Sequence, residues 1–530
     1  MQTTQFDHFY PYQEMTDFLL ECEREFPAKF RLISLADTAQ GRKIWLAEIT
    51  DFSTMSESQS RSAYYVQAGL HAEEGAGTTA ALHWIEMLLT QTAANQLLDH
   101  LVFYIVPRVN PDGSEYAITQ CASVRSYFEQ KEDIANALIP QDINHDGMVL
   151  QMRKLNPLGT FADIDDSGIM VPRLANMTGS FYDVYPEGYF ENYDGGSWQP
   201  AMCNIDMNRS FPASWRPMKN SEAYPCRGIE TRAIAEFMTT HQNIFACIDF
   251  HCGSGGILRP LMSSDDYLNQ EDRHLIEDVG RLAECITGLP LIHEREYQEP
   301  GDRPEEAYGC TGEWCYHALG ISSYVIELGN GFTGIGLPTD VILKNWRFVE
   351  NYDWLHQIVN HHRRSGKEIL VPWKKFTHPQ LGEIEIGGMK NGLAYYMCPP
   401  DMVSVIPKTT QFLLEHAAMG PRLVLAKPQV TSFGSGVYRI RTQCMNIGRF
   451  GTTVMSGAEG PMAQSDVSIR LSSKEKPVTI LSRPARFTIS KLDSMERVSA
   501  EWFIQGTENQ CIQITASHCK CTTVTAEFHL

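Results

Sequence analysis

No stretch of this 530-residue chain is apolar for long enough to cross a bilayer as a helix. The opening residues, Met1 to His8, lack the basic segment and apolar core of a secretory leader. Positive charge is also short. Lys and Arg number 44 against 64 Asp and Glu, a formal net charge of −20, which argues against non-specific binding to nucleic acid or to an anionic membrane. Cysteines are present, but never in paired C-x-x-C units. They read as small buried residues of a reducing compartment, with a disulfide or two left open. No internal repeat is found. The expected location is the cytoplasm, with export by another route not excluded.

What is present is a globular composition, 43% hydrophobic and 10% aromatic. The length exceeds one compact core and points to at least two domains. Apolar strands at 63–70, 101–107, 244–250 and 323–328 alternate with helical stretches at 75–98, 229–240, 275–287 and 340–363. That order implies an α/β domain, a mostly parallel mixed sheet sandwiched by helices, over residues 1–363. Residues 121–225 read as irregular, rich in Gly, Pro, Asn and Asp. Residues 364–419 read as a transition packing between domains. From 420 to 530, short β-rich runs imply a small antiparallel β-sandwich.

The chemistry starts at His71-Ala-Glu-Glu74, just after the strand that ends near Leu70. His71 and Glu74 are expected on one face at the start of a helix, where an imidazole and a carboxylate can hold two corners of a zinc tetrahedron. His251 ends the apolar strand Phe245–Phe250 and is the candidate third ligand. Two His and one acidic ligand leave a corner open, the pattern of catalytic rather than structural zinc. The motif alone is weak, since a buried His beside a Glu is often only a core pair. Its position beyond strand ends strengthens it.

Residues 10–363 resemble the zinc carboxypeptidases of the carboxypeptidase A/B-like type. The resemblance is carried in order by His71-Ala-Glu-Glu74, Asn110-Pro-Asp-Gly113, Met152-Arg-Lys154, Asn204-Ile-Asp-Met-Asn-Arg209, His251 and Tyr324-Val-Ile-Glu-Leu328. The stretch from Phe376 to Gly388, followed by a β domain, resembles a larger bacterial-type branch. The resemblance implies one zinc ion per chain on His71, Glu74 and His251, and Glu327 as general base. It implies Arg153 as the cation that polarises the scissile carbonyl. It gives Asn208 and Arg209 the grip on a substrate's terminal carboxylate, with Tyr308 as the tyrosine that covers the substrate. The preceding Asp142–Gly147 mimics the start of a calcium loop, but its twelfth residue is Arg153, so it reads as an Asx-rich turn that aims Arg153.

Departures from the family pattern bear on specificity. Glu73 stands where an arginine is common, which removes a cationic subsite. His251-Cys-Gly253 lacks the usual aromatic. The pocket base falls near Thr311-Gly312, with Glu313 an acidic candidate if the register differs. The implied partner is a peptide or protein C-terminus, with a further partner possible for the β domain. Two other functions stay open: an amidohydrolase of the same fold acting on an acyl-amino acid or cell-wall peptide, and a catalytically inactive peptide-binding protein.

Overall fold

Four apolar runs, Ser62–Ala68, Leu101–Val106, Ile244–His251 and Ser322–Glu327, are strands buried along their whole length. Continuous burial requires cover on both sheet faces, so these strands occupy the middle of a sheet. The computed structural model describes residues 3–530 apart from 55–57, 131–133, 219, 262–263, 294–307, 345–351, 391–396, 475 and 483. The central sheet has eight strands: β1 (Phe30–Asp37), β2 (Lys43–Ile49), β3 (Ser62–Ala68), β4 (Leu101–Val106), β5 (Ile244–His251), β6 (Gly256–Arg259), β7 (Leu291–His293) and β8 (Ser322–Glu327). Their order is β1-β2-β4-β3-β5-β8-β6-β7. The run β4-β3-β5-β8 is parallel, and antiparallel pairs flank it.

Helices cover both faces. They are α1 (Tyr12–Glu25), α2 (Gly75–Thr90), α3 (Pro111–Gln120), α4 (Ile229–Thr240), α5 (Gln270–Thr287), α6 (Tyr352–Arg364) and α7 (Met402–Ala418). One core joins Phe18, Trp84, Ile276 and Phe412 to Tyr64, Val66 and Phe250 of the sheet. The other packs Ile234 and Phe237 of α4 on Tyr65, Tyr104 and Cys247. Tyr64 and Tyr65 thus face opposite ways, as strand alternation demands. Of the helix expected at 340–363, Thr339–Lys344 and α6 are helical, and residues 345–351 lie outside the described residues.

The region expected to be irregular contains short strands. Gln151–Leu155, Phe161–Asp163, Met170–Pro172 and Phe181–Pro186 join the hairpin Leu370–His378/Gly382–Met389 in a six-stranded antiparallel sheet. Strands of three to six residues are too short to print a period on the sequence, which is why composition read them as loop. The stretch 364–419 therefore holds this hairpin and α7, which packs on α2 and α5. Beyond it, two antiparallel sheets enclose Ile440, Ile469, Trp502, Ile512 and Ile514. Lys520 ties them to the first domain by donating to the carbonyls of Leu319 and Gly320.

His416 of α7 is buried against the sheet. Its Nδ1 lies 2.9 Å from the Tyr64 hydroxyl and its Nε2 3.2 Å from Ser322 Oγ. Burial pushes its pKa from 6.5 down to about 3. The unfolded chain therefore binds the proton first as pH falls. His416 contributes stability above pH ~6.5 that is lost in acid at up to about 1.4 kcal/mol per pH unit. Denaturant titrations of His416→Gln between neutral and mildly acid pH should show a shallower loss than the native protein. Parallel loss in both proteins would contradict this role.

Candidate metal centre and active site

Strand β3 ends at Ala68, and the chain turns at Gly69, whose φ of +61° favours glycine. His71 to Glu74 lie in the turn before α2, and Glu74 is the residue that caps it. The three-residue spacing thus comes from a turn rather than from a helical face. Gly77, in the first turn of α2, lets that turn approach β5: a Cβ there would stand 3.0 Å from the Phe250 carbonyl oxygen. The approach carries Glu74 to His251. The Cys252 N–H donates to Glu74 Oε2 at 3.1 Å and fixes the carboxylate.

Three ligand side chains converge. His71 Nδ1 is 2.9 Å from Glu74 Oε1, His251 Nδ1 is 2.9 Å from Glu74 Oε2, and the two Nδ1 atoms are 3.0 Å apart. All three residues are buried, at 2–3% exposure. A tetrahedral zinc with bonds near 2.0 Å would hold its ligands about 3.3 Å apart, close to what is found. The outer nitrogens decide the tautomers. His71 Nε2 faces Asp206 Oδ1 at 3.0 Å, and His251 Nε2 lies 3.2 Å from Asp249 Oδ2. A carboxylate beside each Nε2 suits an imidazole that carries its proton on that nitrogen and offers Nδ1 to a metal. Two imidazole nitrogens and a carboxylate converging at this spacing form a donor set for a cation. The trio therefore fits a zinc ion, and His71, Glu74 and His251 form one zinc site.

Charge is concentrated here: burial pushes the His251 pKa down, but Asp249 and Glu74 outweigh it and raise it well above the usual range. Burial pushes the Glu74 carboxyl up, but His71 and His251 outweigh it and hold the group well below the usual range. Burial likewise raises Asp206, and Arg125, His71 and Arg209 bring it well down. Glu327 differs. It ends β8, directly opposite His251 in the parallel register. Burial pushes its pKa up to about 7, Glu74 adds to the rise, and His251 and Arg125 oppose it. Its Oε2 is buried and meets no hydrogen-bond partner among the described residues.

Arg153 is placed in a different sheet from the trio. It lies on the strand Gln151–Leu155 of the six-stranded sheet, where Nε donates to Glu385 and Nη1 to Asp163. Its guanidinium sits 4.6 and 4.4 Å from the Tyr182 and Trp373 rings. A cation paired twice and packed between aromatics is spent on that sheet. The arginine at the metal trio is Arg125, whose Nη1 donates to Glu74 Oε1 at 2.8 Å and whose Nε lies 3.4 Å from Asp206 Oδ2. The His71-to-Glu74 turn positions it: Ala72 N–H donates to the Arg125 carbonyl, and Val124 N–H donates to Glu73 Oε1. Glu73 is thereby a buried acceptor for the backbone of the Arg125 segment. The turn Asp142–Gly147 closes on its own carboxylates, and Glu187 takes the N–H groups of Ile143, Asn144 and Leu150.

Asn208 Oδ1 accepts from both the N–H and the hydroxyl of Thr311. A backbone N–H can only donate, so the amide's orientation is settled and its NH₂ is turned away as a donor. Thr311 serves Asn208 rather than forming a pocket base. Arg209 Nη1 donates to the Asn208 carbonyl and to Cys310 Sγ, which sets the two residues side by side. Glu313 is fully buried, 3.3 Å from His317 Nε2. Tyr308 lines a cavity of about 230 Å³ with Trp215 and Tyr267, its ring 4.2 Å from the Arg216 guanidinium carbon. The segment before it lies outside the described residues. No disulfide forms among the described cysteines. No described helix is long and apolar enough to cross a membrane.

Sequence reasoning missed Arg125, Asp249 and Gln67. Gln67 Nε2 donates to Asp249 Oδ2, and the Tyr65 hydroxyl donates to Gln67. The signal available was strand parity: Asp249 and His251 are two apart on β5 and so share a face. Arg125 carried no such signal. Purified His251→Ala should hold one zinc ion per chain fewer than the native protein by elemental analysis. Zinc affinity of the native protein should weaken in acid as the ligands protonate. Unchanged zinc content in the variant would remove this trio.

A model of the zinc carboxypeptidase family matches residues 15–351, and a model described as a domain of unknown function matches residues 422–529. Carboxypeptidase D from Anas platyrhynchos is 32% identical over 111 residues, which are 20% of this chain and 8% of that protein. A zinc carboxypeptidase from Saccharothrix mutabilis subsp. capreolus is 27% identical over 24% of this chain and 30% of its own. The inactive metallocarboxypeptidase ecm14 from Talaromyces stipitatus is 26% identical over 71% of this chain and 58% of its own. These alignments span less than two thirds of each relative. Among solved structures, bovine thrombin-activatable fibrinolysis inhibitor in complex with tick carboxypeptidase inhibitor has a TM-score of 0.42 at 14% identity. That comparison covers 78% of this chain and 97% of the other. Since the family model takes in more than half of the sequence, around the metal trio described above, the protein belongs to the zinc carboxypeptidases.

Proposed function

We propose that the protein is a zinc-dependent metallocarboxypeptidase that hydrolyses the last amide bond of peptides or proteins. The observation that carries this is the buried His71–Glu74–His251 trio with Glu327 set against it in register. A bound zinc supplies a Lewis acid that activates water and polarises a carbonyl. The rest falls to the chain. Glu327, its pKa near 7, takes a proton from the attacking water and passes it to the leaving amine. Arg125, permanently charged and beside Glu74, faces the developing oxyanion in place of Arg153. The Asn208 amide and the Arg209 guanidinium hold the terminal carboxylate, which makes the enzyme an exopeptidase. Tyr308, outside these contacts, closes over the substrate side. A reducing, cytoplasmic setting accords with cysteines that form no disulfide among the described residues.

Two comparisons test these assignments. Arg125→Ala should lower kcat by on the order of 10²–10³, the scale for losing an oxyanion donor. Folded Arg153→Ala should stay near native kcat, and the reverse pattern would restore the oxyanion role to Arg153. The second comparison uses matched peptides with free and amidated C-termini, read by mass spectrometry. The native enzyme should release single residues from free acids and cleave amides poorly. Arg209→Ala should lose kcat/KM on the acids by about 2–5 kcal/mol, the range for truncating a buried charged partner, and much less on the amides. Lys at 209 should not rescue, because an ammonium lacks the guanidinium fork. Equal native rates on acid and amide would favour an amidase or endopeptidase instead.

A further inference from the structure

A second group of metal-ligating side chains lies at the junction of α6 and α7, sharing no residue with the catalytic trio. His361 is in the last turn of α6. Cys398 and Asp401 bracket Pro399 and Pro400, just before α7. Neither proline has an N–H to donate, and the Asp401 N–H bonds the Cys398 carbonyl at 2.8 Å. That short turn brings the cysteine and aspartate side chains together. The ligand atoms of His361, Cys398 and Asp401 all lie within 4.8 Å of one another, and His361 Nε2 is 2.8 Å from Asp401 Oδ2.

Two further features give the cluster the form of a site. Gly334, a few residues after Glu327, packs directly on it. A Cβ there would stand 2.7 Å from Asp401 Oδ2 and 3.3 Å from His361 Nε2, so the missing side chain keeps room beside both ligand atoms. Burial is also graded. Cys398 is fully buried, while the side chains of His361 and Asp401 are 21% and 23% exposed. One edge of the cluster meets solvent, where a water can take a fourth position.

We infer that His361, Cys398 and Asp401 bind a second zinc ion that clamps α6 to the turn before α7, against which the turn after β8 packs. The donor set of one sulfur, one imidazole nitrogen and one carboxylate oxygen suits zinc and is too soft for calcium or magnesium. On binding, the Cys398 thiol gives its proton to solvent and the His361 Nε2 lone pair turns to the metal. Affinity therefore falls in acid. The clamp is structural: it braces the segment that follows Glu327 without touching the reacting groups. It takes the count beyond the single ion that the family resemblance implies. The competing account is an ordinary His361–Asp401 ion pair lying over a buried thiol.

Sulfur separates the two accounts, because the catalytic trio has none. Full-length protein loaded with cobalt(II) should bind two ions per chain and show a near-ultraviolet thiolate-to-cobalt charge-transfer band. The band should persist in His251→Ala, which removes a catalytic ligand, so failure of the carboxypeptidase reading would leave this test intact. Cys398→Ser should abolish the band and leave one cobalt per chain, with peptidase activity at the assay temperature retained. If that variant fails to fold, His361→Gln, which keeps the thiol, should weaken the band at least tenfold at limiting cobalt. A native protein that binds one cobalt without the band, or a band untouched by either substitution, would overturn the inference.

Discussion

Two imidazoles and a carboxylate that converge in a dry interior form a donor set for one cation, and this fold holds His71, Glu74 and His251 in that arrangement. The constraint comes from the sheet. β3, β5 and β8 are parallel neighbours, so their carboxyl ends open on the same edge. His71 follows the end of β3, His251 ends β5, and Glu327 ends β8 in register with His251. Only the close approach of α2, which Gly77 permits, then brings Glu74 across. A one-residue slip of β8 against β5 would turn Glu327 to the opposite face.

The surrounding charges follow from that geometry. Glu74, Asp206, Asp249 and Glu327 are all buried near the trio. Such a concentration of carboxylates needs compensation, and the groups divide by what they meet. Asp206 and Glu74 are held ionised by Arg125 and the imidazoles. Glu327, with an oxygen that meets no donor among the described residues, is the one whose burial prevails. One carboxylate poised near neutrality beside Glu74 and Asp206, which are held ionised, is the division of labour expected where a proton must be taken up and given back.

Much of this was legible in the sequence because it rests on short-range pattern. Strand ends rich in Val, Ile, Tyr and Phe located β3, β5 and β8, and the metal trio lay at or beyond two of those ends. Asn208 and Arg209 were visible as a pair. The arginine that stands at the trio was not. Arg153 sits in a sequence context that resembles the family's, yet that strand enters a second sheet, where Asp163 and Glu385 come from segments far apart in the chain. Arg125 reaches the site only because backbone bonds from Ala72 and Val124 fold its segment against the His71 turn. Pairings of that range leave no period. The short strands between 127 and 205 were hidden for the same reason, and so was the hairpin that completes their sheet.

The claim on which the rest turns is that Glu327 moves the proton while the zinc trio stands independently of it. Glu327→Gln keeps the shape of the side chain and removes its basicity. The measurement is a set of three readings on one purified variant: zinc content, affinity for a non-cleaved peptide with a free C-terminus, and single-turnover rate on its cleavable counterpart. The account predicts native zinc content, near-native binding and a rate lower by about 10² or more, the scale of general acid–base help. A Glu327→Gln enzyme that retains zinc and turns over at a near-native rate would contradict it.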